Sequence, residues 1–569
     1  MIFRDLLINN PTYRGRSSAC AALLRQLSDP KEDDGARDLI LETFRILWFN
    51  GKKEKHLNVE AIQSNASGVL GDVNIVTPTR CGAKRGRVSS LVSISETANQ
   101  MVEVVHKAQC PSYLIGLVRR LLFDFEDKKS NKIKNQRERQ KVMQKHCSNI
   151  VKCLVESLHN QEREDTPEYL RTAEVLSTLY VFAEASPEVL PSHIDTLLPF
   201  LKGERSTYKK FEEDIVLRVC QILVKISICL TKSQVKCLGD GSLITDLTYI
   251  ARNFGKETTI VASIESLSKL SAIYGADEGN LFKKATLDLG KLFYTFLFKN
   301  KNAGVDLKEL KSIERNHIHR SLTVLGTICR FDTTGGDLNA LNNVDSFECV
   351  HPSQLSWENL QTSAFALFQT HMKTKDMTIK CHTLRAMRGI FSSRPRVMLQ
   401  VEEEGLMKEL MSEKSDPRLQ LETLICWKDI LESEEKRVDS GEAKRKIESK
   451  KGITLSEKIS GDQDGDASLL GSCCIQHYSR LISMTLSTDR SICIHSLQLL
   501  QILLRQGLVS PMETVRFYNR YIIFVYSMHS LTFQRYKDSF FTCITGRHRM
   551  YPNQSISYRN FVRRSEKTS

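Results

Sequence analysis

The 569-residue sequence predicts an all-α fold: a HEAT-repeat superhelical solenoid of paired antiparallel helices, with disordered insertions and an atypical C-terminal tail. Three observations predict it. One apolar pattern is written twice, 40 residues apart. The pattern recurs twice more. The remaining chain reads helix, short loop, helix, without strand-like alternation. In the first copy Asp376 is followed by Ile379, Leu384, Met387, Ile390 and Phe391; in the second Asp416 is followed, at the same offsets, by Leu419, Leu424, Trp427, Ile430 and Leu431. Offsets of 8, 11, 14 and 15 share one face of a 3.6-residue helix. Asp489 leads a third copy, with Ile492, Leu497, Leu500, Leu503 and Leu504. Asp214 leads a fourth, with Leu217, Ile222, Ile228 and Cys229, broken at Lys225. A helical face recurring at this period marks paired-helix repeats, because one pair buries its face only against the next. Each Asp is expected to accept hydrogen bonds from the free N–H groups of the helix that follows it.

Taken in order, residues 1–50 are predicted to hold HEAT-type helices that enter the array part-way. ARDLILETFRILWFN places Leu39, Ile40, Phe44, Leu47 and Trp48 on one face. Residues 51–100, rich in Gly, Ser, Thr and basic side chains, are predicted to be a disordered insertion with a small cluster at Arg80, Lys84, Arg85 and Arg87. The array is expected to run over 101–432. It opens with CPSYLIGLVRRLLFDFED and a basic stretch, Lys128 to Lys145, and continues through seven helical segments to residue 298. Turns separate those segments at Ser186–Pro187, Gly239–Asp240 and Gly275–Ala276. After a polar connection, a buried helix is predicted over 318–330, then a loop, then the Asp376 and Asp416 repeats. Residues 433–468 read as a charged linker, 469–515 as one further repeat, and 516–569 as a basic, atypical tail. In that tail only Asp538 and Glu566 oppose ten Lys and Arg, and aromatics interleave with the basic residues, a pattern that can serve single-stranded nucleic acid.

The net charge of +14 favours polyanionic partners such as DNA, RNA or an anionic surface. Sixteen cysteines sit at irregular spacing without a CxxC, and several fall inside amphipathic helices. They read as small buried apolar groups in a reducing compartment, nuclear or cytosolic. No run approaches the roughly 20 apolar residues of a membrane span, so no membrane role is expected. Phosphate-cradling GxxxxGK[ST] and GxGxxG loops, HExxH and GxSxG are all missing. His317 and His319 lack the spaced partners of a zinc site, and Cys381–His382 point to different sides of their helix. Neither catalysis, a metal nor a cofactor is expected.

Five segments, in one order, resemble the Nipped-B sister-chromatid cohesion loader family. FRDLLINNPTY resembles the family's RDI-x-x-x-x-PTF helix end, and LETFRILWFN (41–50) its ETF-x-x-LWF element. SLTVLGTICRFDTTGGDL (321–338) resembles S-L-x-x-x-G-x-L-C-R-x-F-D. The 376–400 repeat resembles one ending in HPSLM. SICIHSLQLLQILLRQGLVSPMETV (491–515) matches A-L-x-V-I-x-L-x-L-x-Q-G-L-x-H-P. These are packing motifs: Phe44, Leu47, Trp48 and Phe49 are expected in the core, and Gly507 at a helix end where a left-handed conformation suits glycine.

The resemblance implies a hook-shaped scaffold, nuclear and chromatin-bound. It would engage the SMC and kleisin subunits of cohesin and double-stranded DNA, promote cohesin loading, and stimulate the cohesin ATPase in trans. Lys132, Lys134, Arg137 and Arg139 are the candidate phosphate contacts. Another HEAT adaptor, such as a nuclear-transport receptor or phosphatase scaffold, is the alternative, though transport receptors tend to be acidic. The sequence departs from the family in three ways. The N-terminal region that binds the companion loader subunit is missing, 51–100 is long, and 516–569 is unrelated, as in a truncated or mis-joined gene product.

Overall fold

A computed structural model of the chain describes residues 34–49, 133–158, 168–202, 212–239, 242–275, 280–301, 312–331, 347–395, 405–439, 473–485 and 487–506, with a few single positions beside them. Among these residues every regular element is a helix and no strand occurs. The expected insertion at 51–100, the helix at 110–127, most of the linker 433–468 and the tail 516–569 lie outside them. The chain divides into two compact units, Met1–Lys283 and Lys284–Ser569.

The first unit contains α1 (Asp34–Phe49), α2 (Ile133–Ser157), α3 (Glu168–Ala185), the single turns α4 (Ile194–Leu197) and α5 (Pro199–Lys202), α6 (Glu212–Ile226), α7 (Lys232–Gly239), α8 (Leu243–Asn253) and α9 (Glu257–Tyr274). One apolar core runs through it, from Leu47 and Leu154 by way of Phe182 and Ile222 to Leu267 and Phe282. The helix α6 lies against both α3 and α9, and α8 packs on α9.

These three stacked helices carry a repeat of 44 residues, counted from positions 168, 212 and 256. At offsets 8, 11 and 14 stand Leu176, Leu179 and Phe182, then Cys220, Leu223 and Ile226, then Ile264, Leu267 and Leu270, none more than 1% exposed. The Asp214 register is therefore corrected. Asp214 is the third residue of α6, Leu217 is only half-buried, and Ile228 is 77% exposed. Starting two residues earlier gives the buried face. Ile222 is buried in either reading, and the acidic Asp214 suggested a cap where there is none.

Gly275 ends α9 with φ 95°, a left-handed value that glycine adopts without strain. Asn280 joins that end to the next helix: its Nδ2 donates to the carbonyls of Ser271 and Gly275, both at 2.9 Å, and its Oδ1 accepts the Lys283 N–H at 3.0 Å. The unit boundary falls just inside the helix that follows, α10 (Leu281–Lys299).

The second unit continues with α11 (Ser312–Phe331), α12 (Leu360–Met372), α13 (Met377–Ser393), α14 (Leu406–Leu410), α15 (Pro417–Asp439), α16 (Tyr478–Met484) and α17 (Arg490–Gln506). The helix α13 packs on α11, α12 and α15, and α15 packs on α17. Here the three Asp-led patterns hold: α13, α15 and α17 each begin one residue after the Asp. All fifteen apolar positions of the three copies are at most 4% exposed. Two boundaries differ from expectation. α11 starts at Ser312, ahead of 318. α15 runs past 432 to Asp439 because SEEKR is good helix-forming sequence and Glu434, 4% exposed, is packed into the repeat.

Candidate functional site

The second helices of the repeats are fixed at their starts by carboxylates. Asp376 Oδ1 accepts the N–H groups of Thr378 at 2.9 Å and Ile379 at 3.3 Å. Asp489 repeats this with Ser491 at 2.8 Å and Ile492 at 3.3 Å. Asp416 accepts the Arg418 N–H at 2.8 Å and the same residue's guanidinium at 3.1 and 3.2 Å. That guanidinium holds the Asp416 carboxyl below the usual carboxylate range. The start of α9 in the first unit has no side-chain cap, but the residue before it is held by another helix. Lys256 stands where the Asp would be, its N–H donates to Glu213 of α6 at 2.5 Å, and its ammonium pairs with Asp214 at 2.6 Å.

Successive second helices are also joined along their polar flank. Glu184 meets Lys225 at 3.3 Å. Arg385 Nε donates to Glu422 at 2.8 Å, and Lys428 to Gln498 at 3.1 Å. Arg505 pairs with Glu435. Within the repeat registers these contacts join offsets 16 and 13, 9 and 6, 12 and 9, and 19 and 16. Each of these four pairs thus joins positions three offsets apart, close to one helical turn. Arg388 and Asp429 add an ion pair at 3.4 Å. The α11–α13 crossing is closest of all. A Cβ at Gly389 would lie 2.1 Å from the Gly326 carbonyl oxygen, and one at Gly326 would lie 2.5 Å from the Ala386 Cα. Gly326 is the glycine of the SLTVLGTICR motif.

At that crossing His319 and His382 stack with ring centroids 4.2 Å apart. Burial holds both towards the neutral form, and the neighbouring His319 and Arg385 help push His382 down to about 4. Burial also pushes the thiols of Cys147, Cys220 and Cys426 up to about 12, which removes their nucleophilicity. Among the described residues no group of three or more His, Cys, Asp and Glu is placed to hold a metal, and no helix is long and apolar enough to cross a membrane.

The sequence-predicted residues fall as follows. Phe44 and Leu47 are buried in α1 at 1% and 0% exposure. Trp48 and Phe49 close the same helix, with side chains outside the described residues. Gly507 lies outside them too. Across it the Leu508 N–H donates to the Leu503 carbonyl at 2.9 Å, the six-to-one bond of a Schellman helix end. Lys134, Arg137 and Arg139 stand in the first half of α2, a helix with no acidic residue in its first turn, and Lys132 precedes it. Their side chains are outside the described residues. The later half of α2 is buried through Cys147, Ile150, Val151 and Leu154. The charged pairs on these flanks, Glu184–Lys225 in the first unit and those from Arg385 to Arg505 in the second, were not singled out from the sequence. Their only signal is charge at matching offsets of successive repeats, readable once the registers are known.

No family model matches the chain. Its sequence is 21% identical over 527 residues to the Homo sapiens Nipped-B-like protein, covering 90% of this chain and 16% of the relative. It is 22% identical over 531 residues to Nipped-B-like protein scc-2 of Caenorhabditis elegans, covering 90% of this chain and 21% of that protein. The chain thus spans about a sixth to a fifth of the length of these curated relatives. Among solved structures it is similar to the C-terminal fragment of the Chaetomium thermophilum cohesin loader SCC2, with a TM-score of 0.60, 17% identity, and coverage of 99% of this chain and 34% of that one. That likeness fixes the fold as a HEAT-repeat array, and nine-tenths of the sequence aligns with Nipped-B-like proteins, which it resembles at about one residue in five.

Proposed function

We propose that this chain is a scaffold segment of a cohesin loader: it engages the SMC and kleisin subunits of cohesin, contacts DNA through phosphates, and promotes loading onto chromatin in the nucleus. It stimulates the cohesin ATPase in trans and supplies no ATP chemistry itself. The observation that carries the reading is the alignment of 90% of the chain with Nipped-B-like proteins. The alignment is supported by helix-packing features at its motif positions, notably the Gly326 crossing.

Within this reading the DNA contact lies at the start of α2. The amino end of a helix carries partial positive charge and normally attracts acidic residues. α2 has none in its first turn, and Lys132, Lys134, Arg137 and Arg139 surround that end in sequence. Phosphates satisfy both the free N–H groups of a helix start and side-chain cations. The test is fluorescence anisotropy of a labelled duplex with the full chain over a salt series. The K134Q/R137Q/R139Q variant is expected to bind all sequences more weakly, and its salt slope to fall by about three. An unchanged slope removes α2 from the DNA contact. Co-migration of the chain with purified cohesin on gel filtration tests the partner separately.

A further inference from the structure

Unit two holds a groove of about 970 Å³ between the α12–α13 turn and the α14–α15 turn. That is the size of a cleft that takes a small ligand or a few peptide side chains. Its apolar lining is rich in methionine: Met372 and Met377 half-buried, with Met387 and Leu410 buried beneath them. Methionine is unbranched and polarizable, so such a floor adapts to different side chains. Three lysines stand in the wall, Lys373 and Lys414 exposed and Lys380 half-buried. Among the described residues none of their ammonium groups has an ion-pair partner.

Two carboxylates share the lining, Glu409 and Asp416. Both Asp416 oxygens are already engaged by Arg418. Among the described carboxylates, Glu409 alone is left against three cations. The wall that carries Lys414 is fixed from below, because Gln420 Nε2 donates to the carbonyls of Ser412 at 2.7 Å and Ser415 at 3.1 Å. The groove therefore combines an adaptable apolar floor with a cationic rim on a braced turn.

We propose that this groove is a docking site for a short acidic peptide segment of a partner protein. One or two large apolar side chains enter the methionine floor, and flanking Asp or Glu residues meet Lys373, Lys380 and Lys414. Nucleic acid fits less well. Among the described residues no aromatic side chain lines the groove to stack a base, and a methionine floor has nothing to offer a phosphate. The inference stands independently of the cohesin-loader reading.

The test uses the full chain and three synthetic libraries of labelled peptides of about twelve residues, long enough to cross such a cleft. One library carries Leu, Met or Phe anchors flanked by Asp and Glu. The second keeps the anchors with Lys and Arg flanks. The third keeps the acidic flanks with Gly and Ser for anchors. Enrichment is expected in the first library alone. Its best member should bind about tenfold or more weakly to K373E/K380E/K414E, since three ion pairs are lost and reversed. It should also weaken with M372Q/M377Q, and with K373Q/K380Q/K414Q should the charge reversal lose helical circular dichroism. Equal enrichment of the third library, no enrichment of any, or affinity unmoved by the lysine variants overturns the proposal. So does displacement of the peptide by a single-stranded oligonucleotide at lower charge-equivalent concentration, which would make the groove a nucleic-acid site.

Discussion

Gly326 and Gly389 let two helices meet backbone to backbone, and that contact inverts an ordinary rule. A helical Gly→Ala change normally stabilises by up to about 1 kcal/mol. At Gly389 the added Cβ would sit 2.1 Å from a carbonyl oxygen. Gly389→Ala is therefore expected to destabilise by about 2 kcal/mol, since α11 and α13 must separate. Gly255, with nothing within 4 Å of a built Cβ, is the control: Gly255→Ala should be neutral or mildly stabilising in the same urea titration. The caps give a second residue-scale contrast. Asp376→Ala and Asp489→Ala should each cost about 1 kcal/mol. Asp214→Ala, which removes only a half-exposed pair with Lys256, should cost a few tenths. The caps were legible in the sequence because an Asp and the N–H groups it satisfies lie within three residues. Asp214 misled because acidity near a helix start is not itself a cap. The His319–His382 stack carries a pH signature. The His382 imidazole is lowered to about 4 in the fold, so the unfolded chain binds the extra proton first. Its contribution is full above about pH 6.5 and is lost as pH falls towards 4. His382→Gln should flatten the fall in urea midpoint over that window.

At the scale of elements, charged and polar pairs along one flank tie each second helix to the next. Arg385→Ala strands Glu422, whose side chain is 8% exposed, and is expected to cost about 2 kcal/mol. Glu422→Gln in the same chain should recover part of that loss, a coupling read by a double-mutant cycle. These contacts bridge 37 to 70 residues and could not be read before the register of each repeat was known. The helices themselves were legible because a 3.6-residue apolar period is local. The 44-residue period of unit one went unread because its helices start at Glu168, Glu212 and after Lys256, without the Asp that marked the repeats of unit two. There the start of α9 is held through Lys256 by Glu213 and Asp214 of α6, a contact that only the folded stack makes visible.

For the whole molecule, the surplus of 14 positive charges is uneven. The ten Lys and Arg against two acidic residues of 516–569 leave a surplus of only six over 1–515. Removing 516–569 is therefore expected to weaken non-specific DNA binding at low salt, measured by anisotropy, while leaving any cohesin-directed activity in place. The resemblance to Nipped-B-like proteins was legible in packing motifs, whose Gly326 and Leu47 now have structural reasons. The partner surface was less so, because HEAT arrays serve many partners and the fold alone does not choose among them. The central claim is tested most directly by ATP hydrolysis of purified cohesin with DNA, measured with and without the full chain across a salt series. Stimulation that fades as salt rises is the predicted result. Unchanged hydrolysis at every salt concentration, from a chain shown by circular dichroism to be helical and by gel filtration not to bind cohesin, would contradict it.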